Sequence, residues 1–320
     1  MSTAPGPGYL SLLATGELAR RVEALDRLLV SCRVCPCSCG ADRRTALGRC
    51  ATPADPVVAS WGPHFGEEPP ISGSRGSGTV FLANCNLRCV FCQNADISQR
   101  PREFVGAAVT RQALAEVMLG LQDAGCHNVN WVSPTHQVPA LVAALAIAAR
   151  RGLRLPVVYN TNAYERPEVL RLLDGVVDVY MPDLKYADAD HAAELSRVPD
   201  YPAVARAALR EMFRQVGAAW RLDDDGVLRR GLLVRVLILP RGRAGVEASL
   251  RWLAEELSPE VAVSLMSQYR PCHLAARHGR YPAVARPITP SEYHAALEAL
   301  REWNRSEHTM VQPYVSRPSG

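Results

Sequence analysis

Six short apolar runs, each followed by residues with helical spacing, limit the folds open to this 320-residue chain more than any other feature. The runs cover 79–83, 129–133, 155–160, 176–181, 232–239 and 261–266, and each is too short and too uniformly apolar to be an amphipathic helix. Helical patterns are predicted near 110–124, 139–151, 167–173, 202–216, 246–257 and 290–303. The last begins with Thr289-Pro290-Ser291-Glu292, a hydroxyl cap, an N1 proline and a glutamate that completes a capping box. Alternating βα units specify a parallel sheet, but periodicity does not choose between an open doubly wound sheet and a curled barrel. Polar, chemically capable residues follow every predicted strand, as when one barrel mouth gathers one site, which favours an open (β/α)6 partial barrel.

Ahead of the barrel, Leu18, Val22, Leu25 and Leu29 predict a helix over 16–29 with Thr15 as its cap. Residues 53–78, rich in Pro, Gly and Ser without periodicity, read as a long ordered connector, and Asp223 to Gly226 as a tight turn in a small insertion. The expected division is 1–75 for an N-terminal helix, Cys-rich metal-binding segment and linker, 76–303 for the core barrel and 304–320 for a tail. With 48% hydrophobic residues the chain can bury a substantial core. Its 36 basic and 32 acidic side chains are dispersed, so nothing argues for nucleic acid. The longest uncharged apolar stretch, 138–149, is too short for a bilayer and reads as a buried helix. No membrane span and no secretory signal are expected; ten cysteines then point to a reducing cytoplasm where clustered thiols bind metal.

Three of these cysteines, Cys85, Cys89 and Cys92, have the spacing C-x3-C-x2-C. Three thiolates can hold three irons of a [4Fe-4S] cubane and leave the fourth open to a small molecule, which suggests chemistry and not electron storage. Zinc would need a fourth ligand, and 93–102 contains no Cys or His.

The triad, with Phe91 before its third cysteine, resembles the signature of the radical SAM superfamily. More narrowly, residues 30–303 resemble the PflX-type proteins, relatives of pyruvate formate-lyase activating enzyme. The likeness is carried by Cys32-Arg33-Val34-Cys35-Pro36, the stretches 62–70 and 73–79, the cysteine loop, Ser133-Pro134-Thr135-His136, Tyr159-Asn160-Thr161, Asp183-Leu184-Lys185 and Gln268-Tyr269. The resemblance implies a TIM-like radical SAM barrel with an N-terminal Cys-rich extension. It implies S-adenosyl-L-methionine at the open iron of a cluster on Cys85, Cys89 and Cys92, and a 5'-deoxyadenosyl radical made with one electron from a donor such as flavodoxin or ferredoxin. The substrate by this analogy is a glycine in a partner protein. A radical SAM enzyme for a small molecule or another peptide, and a non-catalytic iron-sulfur electron-transfer module, are the alternatives.

By the same resemblance Asn160, Thr161, Asp183 and Lys185 surround the methionine part of the cofactor; Phe91 is expected either to pack beside the adenine or to be a plain core aromatic. The activating-enzyme pattern has carboxylates where this chain has Asn160 and Ser133-Pro134-Thr135, so Thr135 or His136 is expected to substitute. Arg235 is a bidentate partner for the cofactor carboxylate or a structural bridge between strands. Lys185 is the chain's one lysine, so its position calls for a compact ammonium. Met181, Asp183 and Lys185, two apart on a strand, should face one cavity. His136 is placed at the barrel mouth, and Cys272 is a candidate hydrogen or proton donor. Upstream, Cys32, Cys35, Cys39 and Cys50, with Cys37 between, offer a second metal site that fits zinc or an auxiliary iron-sulfur cluster.

Overall fold

The computed structural model describes residues 6–100, 103, 107–277 and 279–314; the end of the expected tail, 315–320, lies outside them. In chain order the elements are α1 (Tyr9–Ala14), α2 (Glu17–Arg27), β1 (Val58–His64), α3 (Pro69–Ser72), β2 (Ser77–Leu82), α4 (Ala95–Ser98), α5 (Arg111–Asp123), β3 (Val129–Val132), α6 (Val138–Arg150) and β4 (Val157–Thr161). There follow α7 (Pro167–Leu172), β5 (Val179–Pro182), α8 (Ala189–Ser196), α9 (Tyr201–Val216), β6 (Arg221–Leu222), β7 (Leu228–Leu237), α10 (Val246–Glu256), β8 (Ala262–Met266), α11 (Pro290–Trp303) and β9 (Met310–Val311).

All six apolar runs form strands, and these pair in parallel in the order β2-β3-β4-β5-β7-β8. A sheet wound in one direction by right-handed crossovers carries its helices on one face, so its other face has to be shielded by curling and by inserted side chains. Strand alternation matches this demand. Val157 and Tyr159 of β4 join the large core that also holds the helices, whereas Val158 joins a small inner cluster with Val179, Met181, Leu228, Leu233 and Ala262. Ile71 of α3 plugs that inner cluster. The result is a mixed α/β fold with a parallel-dominated sheet, consistent with the TIM-like winding expected. Among the described residues the edge strands β1 and β9 do not pair with each other.

Several local expectations need correction. The stretch 53–78 is not all irregular: β1 pairs antiparallel with β2, its pattern hidden by Gly62-Pro63, which an edge strand tolerates. The helix predicted over 16–29 forms as α2, with Gly16 in the left-handed region (φ 74°) at its N-cap and not Thr15, whose hydroxyl donates back to the Ser11 or Leu12 carbonyl; the short α1 before it was not anticipated. Helix α8, capped by the Asp188 side chain, was not anticipated. The capping box at Thr289 and Glu292 and the turn at Asp223 form as read. Helix α6 is apolar all round and buried along almost its whole length, so it needs cover on the side away from the sheet. Helices α1 and α2 supply it, and residues on both sides of the expected division at 75/76 therefore share one core.

Candidate active site

The C-terminal ends of the parallel strands open onto a cavity of about 420 Å³. The chain leaves β2, β3 and β4 through left-handed residues, Asn84 (φ 67°), Ser133 (φ 59°) and Ala163 (φ 62°). Conformations this uncommon outside glycine persist where surrounding structure enforces them. Asn84 is held by its side-chain amide, which donates to the Ala51 carbonyl and the Thr52 hydroxyl, both at 3.2 Å. The turn it makes delivers Cys85, Cys89, Phe91 and Cys92 to one wall of the cavity. Asn160 and Thr161, Asp183 and Lys185, and Arg235 arrive from β4, from the end of β5 and from β7.

Each of the three sulfurs has a polar side chain of its own. Ser196 Oγ donates to Cys89 Sγ at 2.9 Å, Asn162 Nδ2 to Cys85 Sγ at 3.5 Å, and Ser98 Oγ lies 3.2 Å from Cys92 Sγ. The Leu87 amide adds a donor to Cys85 at 3.4 Å. Tyr186 OH lies 2.6 Å from Ser196 Oγ, extending the chain behind Cys89. Burial and the neighbouring Cys89 push the Cys85 thiol up to about 12, and burial raises Cys89 as well. Thiols gathered on one wall, two of them desolvated and all three with a polar side chain at the sulfur, suit a bound cation centre that takes them as thiolates. Among the described residues no three His, Cys, Asp or Glu side chains surround a single ion position. A cubane does not ask for that, because each thiolate binds its own corner iron. Phe91, 6% exposed, packs edge-on to Tyr186 and Tyr269 at 6.4 and 5.8 Å.

Opposite the thiols stands a charged network. Arg235 donates from Nε to Asp183 (2.7 Å), from Nη2 to Asn160 Oδ1 (2.6 Å) and from Nη1 to Glu67 (3.2 Å). Lys185 Nζ donates to the second Asp183 oxygen at 2.8 Å. Burial alone would raise Asp183; Arg235 and Lys185 outweigh it and hold the carboxyl below its ordinary value. Lys185 is raised because Asp183 overcomes the opposing effect of burial. Glu67 was missed in the sequence. It lines the cavity from the β1–α3 loop, accepts from Asn130 and Asn160 at 3.2 Å each, and is raised by burial despite Arg235. The only sequence signal was its place in the quoted stretch 62–70.

Other expected residues fall elsewhere. Thr135 is fully buried outside the cavity, where its hydroxyl donates to Glu165 at 2.6 Å together with those of Thr161 and Tyr159. His136 does not face the mouth: it lines a separate crevice beside the upstream cysteines, held neutral by burial and the Arg43 charge, with its pKa near about 3. Met181 sits in the inner apolar cluster and not on the cavity wall, and Cys272 is likewise absent from that wall. Each of the three guanidinium nitrogens of Arg235 donates to a protein group, the bridging role of its two readings, and Lys185 donates to one protein acceptor, Asp183.

A parallel βα sheet that opens its strand ends onto a cavity lined by three thiols and a charged network is built to hold a ligand at that mouth. Residues 79–215 match the Radical SAM superfamily. The chain is also 30% identical over 293 residues to an uncharacterized protein of Methanocaldococcus jannaschii, covering 89% of this chain and 78% of that one. The chain belongs to the radical SAM superfamily, whose members normally use a [4Fe-4S] cluster and S-adenosylmethionine in oxidoreductase-type radical chemistry. Among the described residues no helix is long and apolar enough to cross a membrane.

The buried Glu165 yields a pH test. Burial raises its pKa from 4.5 to about 7, so the folded chain holds that proton more tightly than the unfolded one, and stability is lost as pH rises through this window. Glu165→Gln is expected to flatten the fall in urea-unfolding free energy between about pH 4.5 and 7 relative to wild type. Equal slopes in the two proteins would refute the assignment.

Proposed function

We propose that this protein is a radical SAM oxidoreductase of the activating-enzyme kind, with a [4Fe-4S] cluster on Cys85, Cys89 and Cys92 and a glycyl residue of a partner protein as its substrate. The observation that carries the first part is the convergence of three free thiols, each with its own polar side-chain partner, on the cavity that also holds the charged network. The second part is supported by the sequence motifs shared with activating enzymes. A cluster held by Cys85, Cys89 and Cys92 would supply one-electron reductive cleavage of S-adenosylmethionine and so the hydrogen-abstracting chemistry.

The chain's residues bind and orient. Arg235 fixes Asp183 and Asn160, so their remaining acceptor positions face the cavity in one arrangement. Asp183 and Glu67 give the wall anionic acceptors for the cofactor's amino group, and Lys185 offers its ammonium to the carboxylate. Phe91, clamped by Tyr186 and Tyr269, presents an apolar ring. A cytoplasmic location and a flavodoxin or ferredoxin as electron donor are part of the proposal.

Reconstituted anaerobically with iron and sulfide, the protein is expected to convert S-adenosylmethionine to 5'-deoxyadenosine in the presence of dithionite, and Cys89→Ala to lose both product and cluster absorption. Product formation by Cys89→Ala would overturn the ligand assignment. For the substrate, EPR of a co-expressed glycyl-radical partner should show a glycine-centred radical; turnover of a small molecule to a stable product instead would move the reading to the small-molecule class. Ser196→Ala removes a donor that favours the more negative, reduced cluster. Its midpoint potential should fall by about 59 mV, the one-electron equivalent of a tenfold change. An unchanged potential in an EPR-monitored titration would show that Ser196 does not bear on the cluster.

A further inference from the structure

The five upstream cysteines play no part in the reaction proposed above, yet the fold collects them. Cys32, Cys35, Cys37, Cys39 and Cys50 line one crevice, and all are free thiols. The Cys35 and Cys37 thiols are neighbours, as are those of Cys32 and Cys39. Cys39 and Cys50 both approach Gly48, where a Cβ would lie 3.6 and 3.4 Å from their sulfurs. The opposite wall is Cys85, Asn86 and Arg88 of the cysteine loop.

The charge in this crevice is unusual. Arg43 is 2% exposed, and its guanidinium donates only to carbonyl oxygens, those of Thr52, Pro53 and His136. Arg88, on the facing wall, donates to the Cys85 and Leu87 carbonyls. A guanidinium keeps its proton, and burying its charge without a counter-ion is costly. The groups beside Arg43 able to become anions are the thiols. A further gap lies on the same wall: His136, 1% exposed, has an Nδ1 with no hydrogen-bond partner. Free thiols leave both the cation and the nitrogen uncompensated.

We propose that Cys32, Cys35, Cys39 and Cys50 hold a second, thiolate-ligated metal centre, distinct from the one on the barrel triad. Each ligating thiol gives its proton to solvent as its sulfur–metal bond forms; zinc, or an iron-sulfur cluster delivered already assembled at its resting oxidation level, binds with no electron transferred. The net negative charge of a metal carrying four thiolates is offset by Arg43. Cys37 is the fifth sulfur and not a ligand, because its thiol donates to the Asn86 carbonyl at 3.6 Å, tying the centre to the neighbouring loop. The crevice is small, about 30 Å³, and the sulfurs do not yet surround one ion position, so binding turns them inward. They can turn because 30–52 contains no helix or strand to fix their rotamers. The shared chemistry is a thiophilic metal, supplied as a zinc ion or as an iron-sulfur cluster.

The test uses the full chain carrying Cys89→Ala, in which the barrel triad is broken. One sample receives zinc alone and the other an already assembled iron-sulfur cluster under argon, and metal per chain is counted after gel filtration. Retention of about one zinc, or about four irons, per chain supports the proposal and tells the sources apart. Adding Cys50→Ser should weaken retention at least tenfold, while adding Cys37→Ser should leave it unchanged. Should Cys50→Ser fail to fold, as read by circular dichroism, cobalt(II) titration of the Cys89→Ala chain replaces it, with thiolate-to-cobalt absorption expected. A folded Cys89→Ala chain that holds neither metal and gives no cobalt–thiolate band overturns the proposal. So does equal retention after Cys50→Ser. Neither result touches the reading of Cys85, Cys89 and Cys92, which is tested on the intact triad.

Discussion

One guanidinium ties together parts of this protein that are far apart in sequence. Arg235 stands on β7, binds Asp183 beyond β5 and Asn160 on β4, and reaches Glu67 in the loop that leads to α3. Glu68 Oε2 stands 3.7 Å away, so three carboxylates face this one arginine and Lys185. Removing one partner of a buried pair costs about 3–5 kcal/mol, since the survivor stays charged and desolvated. The network therefore specifies where β4, β5, β7 and the loop meet. Ile71, four residues after Glu67, anchors the same loop from below by filling the inner apolar cluster.

The thiol side of the cavity is built by a different device. Asn162, Ser196 and Ser98 come from the turn after β4, the end of α8 and the end of α4. Three separate elements thus set the electrostatics of three sulfurs within one eight-residue span, Cys85 to Cys92. The two sides are linked through Tyr201, whose hydroxyl lies 2.7 Å from the Asp183 carbonyl and 2.9 Å from that of Asn162. The same phenol thus buttresses both walls.

What could be read from sequence divides along physical lines. Strands and helices were legible because burial on a sheet or along a stripe imposes a period on neighbouring residues, and the cysteine triad because its spacing reflects the ligand's own geometry. Thr135 was misread because it lies past Ser133, where the left-handed turn breaks the strand's alternation and sends the hydroxyl to Glu165. β1 was hidden because an edge strand need not alternate and admits Gly62 and Pro63. Glu67 had only its place in the stretch 62–70 and Glu165 had no signal, since each buried carboxylate meets a defining partner far off in sequence: Arg235 for one, Thr135 for the other.

The lone lysine has an implication of its own. With Lys185 drawn into the cavity and every other basic side chain an arginine, the exterior offers no side-chain amine. Acetylation, ubiquitin attachment or an acylating probe would find no lysine on the outer surface. An amine-reactive label that did attach to a side chain would be reporting from inside the chamber.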